Sequence, residues 1–393
     1  MDSFQKNVIA ILRAALTGTP SEISPDFDLE RAAGIAKKHS IAAMFYYGAL
    51  TCGISAEGTI MKELFSEACN ALVISERQQY EIKMLEEKFE EGKIDFLPLK
   101  GIVLKDIYPK HEMRTMGDAD ILIRLEQYPK IEGILTNLGF QFRDETDHEL
   151  VWTKKTLMLE LHKNVMTSFN KDFYQYYQNC WEFARKSSAS SSRYELKSED
   201  FFIYLFVHFT KHYRISGIGI KHIIDFWVYK NAHPAMDEAY MIGELNKLHL
   251  YEFYLNIMST LEAWFQNTGS NDKTDYITSF IFSGGQYGTD EMAVVNRMIR
   301  DSKKTDSVSK LRQKRVIKVV FPPYRSMCKK YPVLKKAPIL LPLMWCVRIV
   351  STLCSDRKKL KKYITEFNMI NQTSVEEHQK ALNYVGLDFC FKE

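Results

Sequence analysis

Cysteine is scarce and unpatterned: seven residues in 393, scattered from Cys52 to Cys390, with no CxxC pair among them. This excludes a cysteine-built zinc module and points to reduced thiols in a cytoplasmic protein. Long apolar runs are missing as well. The most apolar stretch, APILLPLMWCVRIVSTLC at 337–354, is broken by Pro338, Pro342 and Arg348. It falls short of the ~20 residues that a membrane-spanning helix needs, so no transmembrane segment is expected. The opening residues MDSFQKNVIAILRAAL lack a basic n-region and a cleavage site, and do not read as a signal peptide. No internal repeat is present.

A hydrophobic content of 46% and a charged content of 26% fit a globular protein, and the length leaves room for two or three domains with real cores. The net charge of +4 conceals an uneven spread. Residues 301–363 hold 18 Lys or Arg against three Asp, a local balance of +15, which leaves about −11 for the rest. An anionic partner for this basic segment is one expectation.

Three regions follow from the patterning. Residues 1–93 carry apolar residues at three-to-four spacing with few breakers and read as helices, the last closed by Gly92. Residues 94–185 change period. IDFLPLKG reads as a short buried strand, IVLKDIYPK as a helical stretch stopped near Pro109, and DADILIR (118–124) as a second strand. YPKIEGILTNLGF reads as a helix, and ELVWTKK with TLMLELHK as a hairpin. After the polar break KSSASSSR (186–193), residues 194–393 read as helical again, over 199–230, 236–268, 289–300 and from Ser374. The expected class is α+β: a small mixed sheet flanked by helical N-terminal and C-terminal regions.

The chemistry gathers in MGDADILIR. Residues two apart in a strand share a face, so Asp118 and Asp120 place two carboxylates ~7 Å apart. Like charges so close are costly unless a cation offsets them. In LMLELHK the leucines 157, 159 and 161 share one face, and Met158, Glu160 and His162 share the other. A glutamate amid leucines is expensive to bury unless it is paired or binds metal. Three carboxylates on two strands suit Mg²⁺ or Mn²⁺, and a pair of such ions serves nucleotidyl transfer. Upstream, Gly101 marks a strand-to-helix turn where backbone amides can approach a phosphate, and Lys100 adds a point charge.

FLPLKGIVLKDIYPKHEMRTMGDADILIR, followed by LELH, resembles the bacterial nucleotidyltransferase-like proteins of the DNA polymerase β-type nucleotidyltransferase superfamily. The similarity extends to VHFTKHYRISGIGIKHIIDFW (207–227) and to 320–350. It implies a nucleotidyltransferase core at 94–185, with Asp118, Asp120 and Glu160 as catalytic, metal-binding acids, and an NTP as substrate. It also implies that Lys100, Gly101 and Arg114 hold the nucleotide. One departure stands out: the superfamily's Gly-Ser turn is here Lys100-Gly101-Ile102, with no hydroxyl. The acceptor is left open among a small molecule, a sugar, a protein and an RNA. A nucleotide-binding protein of the same fold without turnover is the alternative.

His208 and His212 lie four apart and share a helical face. With Asp225 they could ligate metal. The preferred reading packs them against the core, where they line the acceptor cleft with His162, and Asp225 serves as a capping or pairing residue. The basic segment reads as a solvated surface, an RNA-binding surface or a contact with an anionic membrane.

Overall fold

The computed structural model describes residues 1–285 except 156, 169, 189, 216 and 267, together with 310, 313, 316, 317, 319–355 and 372–387. The expected helix at 289–300 and much of the basic segment 301–363 lie outside the described residues. The chain divides into two compact units, one of residues 1–213 and 218–288, the other of 214–217 and 289–393.

The first unit begins with four helices. Helix α1 (Ser3–Thr17) starts on a capping box: the Asp2 carboxylate accepts from the Gln5 amide, and the Gln5 side chain accepts from the Asp2 amide. Helix α2 (Leu29–Lys38) is capped by Asp28, and α3 (Ala42–Thr51) and the 33-residue α4 (Thr59–Glu91) follow. Helix α3 lies tight on α1 at Gly48, where an added Cβ would stand 2.0 Å from the Ile11 carbonyl oxygen. Only glycine permits that approach.

The α/β part then runs β1 (Phe96–Pro98), α5 (Gly101–Lys105), β2 (Asp118–Ile123), α6 (Tyr128–Asn137), β3 (Gln141–Glu145), β4 (Glu149–Lys154) and β5 (Leu157–His162). The five strands form one mixed sheet in the order β1-β2-β5-β4-β3. Strands β2 and β5 are parallel, and the other neighbours are antiparallel. The hairpin expected from ELVWTKK and TLMLELHK is the β4–β5 pair. The edge strand β3 was not expected, because QFRDE is mostly charged and exposed and carries no apolar alternation.

Alternation separates the two faces of this sheet. Ala119, Ile121 and Ile123 of β2, with Leu157, Leu159 and Leu161 of β5, pack with Ile82, Leu85 and Phe89 of α4 and Ile131 and Leu135 of α6 into one buried core. Asp118, Asp120, Glu160 and His162 are left on the opposite face.

Beyond the sheet come α7 (Lys171–Tyr176), the two-stranded ribbon β6 (Ala184–Lys186) and β7 (Tyr194–Leu196), and helices α8 (Ser198–Ile215) and α9 (Ile220–Ala232). The expected continuous helix at 199–230 is thus two helices, with Gly217 and Gly219 between them. The polar break is tied down: Ser190 and Ser191 hydroxyls donate to the Glu90 carboxylate at the end of α4. Likewise 236–268 is divided into α10 (Glu238–Lys247) and α11 (Tyr251–Phe265), and α12 (Asp272–Ser283) closes the unit. Phe202, Phe206, Phe209, Phe226 and Phe253 form the aromatic centre of these helices.

In the second unit, α13 (Tyr324–Lys330) and α14 (Leu341–Ser355) enclose a small core of Met327, Cys328 and Leu334. The Trp345 indole donates to the Pro322 carbonyl at 3.0 Å. Helix α15 (Gln372–Tyr384) is the last described. Among the described residues, no helix is long and apolar enough to cross a membrane.

Candidate functional site

The parallel pairing of β2 with β5 sets Asp120 directly opposite Glu160. Asp120, Glu160 and His162 each offer a ligand atom, and all three atoms lie within 4.8 Å of one another. Asp118 stands two residues earlier on the same face of β2 and is half-buried, whereas Asp120 is 1% exposed. Burial first, then the charges of Asp120 and Asp118, push the Glu160 carboxyl up to about 8. Burial and the neighbouring carboxylates both disfavour the charged form of Glu160.

One cation is supplied by the chain itself. The Lys100 ammonium lies 2.6 Å from Asp120 Oδ1, and His162 Nε2 lies 2.7 Å from the same oxygen. Burial would raise the Asp120 carboxyl, but Lys100 and His162 outweigh it and hold the group well below the usual carboxylate range. Lys100 reaches this position from a backbone with φ 44 and ψ −114, a region that favours glycine. Such an outlier costs ~1–3 kcal/mol and persists only where its surroundings enforce it. Gly101 follows, and a Cβ there would come within 2.9 Å of Met116 Cγ and Sδ, so close packing accounts for this glycine.

Arg114 and Asp225 form a buried pair. Arg114 Nε donates to Asp225 Oδ1 at 2.6 Å and Nη2 to Oδ2 at 2.9 Å. The Tyr108 hydroxyl donates to Asp225 Oδ1 at 2.6 Å, and Arg114 Nη1 donates to the Thr115 carbonyl. Such a two-pronged bond fixes the loop ahead of β2 onto α9. Arg114 and Asp225 therefore hold each other, and Arg114 reaches the acids only through space.

Helices α8 and α9 bring basic side chains within electrostatic reach of the acid face. His208 and His212 meet each other, Nε2 to Nε2, at 3.2 Å. Burial and then the Lys100 charge keep His208 well below its ordinary value, and burial and then Lys211 do the same for His212. No acid joins the two in a metal-ligand group among the described residues. Lys211 is lowered to about 8 by burial and by Lys100, while Asp120, Glu149 and Glu160 pull it the other way. Lys221 donates to the Thr115 carbonyl at 3.1 Å and is lowered to about 7 by burial and then by Arg114. Burial and then Lys221 also lower His222.

Lys211, Lys221 and His222 were not singled out from the sequence. Lys211 does stand between the two histidines in HFTKHYR, and that spacing was the available signal. Lys221 and His222 begin a helix whose start was missed.

The family described as uncharacterised nucleotidyltransferase matches residues 25–266. No curated protein and no solved structure matches the chain. With that match spanning more than half its length, and a D-x-D strand set beside a third acid, the chain belongs to this nucleotidyltransferase family.

Proposed function

We propose that the protein is a Mg²⁺-dependent enzyme that moves a nucleoside monophosphate from an NTP to an acceptor. The observation that carries this reading is the pairing of Asp120 with Glu160 across parallel strands, with Asp118 on the same face. These three acids are the ones that would hold Mg²⁺ or Mn²⁺, since an oxygen donor set suits a hard cation. The raised Glu160 carboxyl supports the fit, because it ionises more readily once a cation offsets its neighbours. The chemistry that two bound ions supply is a lowered pKa at the acceptor hydroxyl and neutralisation of the departing pyrophosphate.

The chain's own groups do the rest. Lys100 neutralises Asp120 until substrate arrives, and it then carries its charge to the phosphates. Lys211, near the acids, offers charge to the triphosphate. His162 fixes the Asp120 carboxylate through Nε2. Arg114 is a positioning residue, acting through Asp225.

The second reading, nucleotide binding without turnover, is favoured by the Lys100-Gly101-Ile102 turn and by the lysine seated on Asp120. Incubation with NTPs labelled at the α or the γ phosphate separates the two. The enzyme transfers the α label to an acceptor in a cell extract and releases the γ label as pyrophosphate. Asp118→Asn should reduce transfer more than a thousandfold, ~4 kcal/mol of activation energy. Tight binding of both labels with transfer of neither supports the second reading.

A further inference from the structure

We propose a second metal site at the β4–β5 edge, in which His148, Glu149 and His162 bind a divalent transition metal such as Zn²⁺. Glu149 and His162 are direct cross-strand partners, and the His148 ring lies 6.0 Å from the His162 ring, centroid to centroid. One ring nitrogen of each histidine and one Glu149 oxygen lie within 4.8 Å of one another.

The hydrogen bonds leave one ring nitrogen of His162 without a partner. His162 Nε2 faces the Asp120 carboxylate at 2.7 Å, so that nitrogen carries the proton and Nδ1 carries the lone pair. Nδ1 is buried and has no hydrogen-bond partner among the described residues, in a side chain that is 4% exposed. An orphaned buried acceptor of this kind calls for a ligand. His148 is half-buried and held by polar neighbours on both ring nitrogens. Its Nδ1 lies 3.0 Å from Asp147 Oδ1, and its Nε2 lies 3.1 Å from Glu149 Oε2. A metal ion bound between His148 Nε2 and Glu149 Oε2 would take the place of the hydrogen bond these two groups share.

Both histidines thus have a carboxylate behind the nitrogen that would not bind metal, the arrangement that orients metal-ligating imidazoles. Two imidazoles and one carboxylate suit zinc with a fourth position open, and Zn–N bonds of ~2.0–2.1 Å need only small rotations of the half-buried His148 and Glu149. This set differs from the oxygen ligands proposed for Mg²⁺. It does not depend on nucleotidyl transfer, although through His162 the bound metal would fix the ring that donates to Asp120.

Metal-stripped full-length protein would be titrated with Zn²⁺ against a chromophoric chelator and then with Co²⁺. The expected result is one equivalent per chain, with the visible bands of four-coordinate Co²⁺. His148→Ala should weaken zinc binding by about a hundredfold or more, and Asp147→Asn by about tenfold. Asp118→Asn should bind zinc as the unaltered protein does, even where it loses transfer, so the two readings fail separately. Far-UV circular dichroism and melting without zinc establish that each variant is folded. Zinc should raise the melting temperature of the unaltered protein but not that of His148→Ala. The proposal is overturned if the unaltered protein takes up no equivalent, if His148→Ala keeps full affinity, or if His208→Ala rather than His148→Ala removes the site.

Discussion

The two faces of strands β2 and β5 are built from alternate residues of the same short segments, yet they obey opposite rules. On one face, Ala119, Ile121, Leu157, Leu159 and Leu161 are each at most 1% exposed and fill the core against α4 and α6. On the other, Asp118, Asp120, Glu160 and His162 crowd charge and imidazole under helices that carry further bases. The first face gains from water exclusion alone. The second is costly to build, and the nucleotidyl transfer proposed above would give a reason for bearing that cost. Because a strand separates its faces by single residues, the apolar core can be perturbed without altering the acids.

The largest stability effect should come from the charged face. Asp120 is the partner of the buried Lys100, and removing one half of a buried ion pair costs ~3–5 kcal/mol. Asp120→Ala should therefore lower stability by that order, and Asp118→Ala, half-buried and outside the pair, should leave it within ~1 kcal/mol. Urea unfolding of the two variants side by side checks this. Equal, negligible losses would mean that the lysine is not committed to Asp120.

Next comes the apolar face. Leu159→Ala removes a fully buried side chain between Ala119 and Trp152 in the pairing register, at ~2–5 kcal/mol. Nucleotide binding by the molecules that remain folded should be unchanged. A large loss of binding per folded molecule would show that the faces are coupled through the backbone.

A smaller effect is set by pH. His39 is fully buried, and its Nδ1 accepts from the Ile220 amide at 3.2 Å. Burial first, then Lys38, lowers it to about 4. Between the ordinary histidine value of ~6.5 and that value, the unfolded chain binds the proton and the folded chain does not. Stability therefore falls as pH falls through this window, by roughly 3 kcal/mol at its foot. In His39→Gln the corresponding slope should be absent, which unfolding curves from pH 7 to pH 4 would reveal.

The sheet was legible where alternation is clean. Leu157, Leu159 and Leu161 fix the inward face of β5, and Glu160 follows onto the outward one. Long-range pairing was not legible: nothing local says that Asp120 faces Glu160, because parallel register is set by the core beneath. The part played by Lys100 was half visible, as a charge beside a phosphate turn, while its bond to Asp120 depends on a backbone geometry that sequence does not display. Edge strand β3 and the break between α8 and α9 were missed for opposite reasons. The strand shows no apolar period, and the break interrupts an apolar period so strong that Gly217 and Gly219 read as internal. Most bases of α8 and α9 near the acids were missed because the helices supply them from a distant part of the chain.

The central claim is that the outward acids of β2 and β5 hold a metal-bound nucleotide. Electron paramagnetic resonance of Mn²⁺ with a non-hydrolysable NTP analogue tests it most directly. The account predicts Mn²⁺ bound in the presence of the analogue by the unaltered protein and by folded Leu159→Ala, and lost in Asp118→Asn and Glu160→Gln. Unchanged Mn²⁺ binding in both acid variants would contradict it.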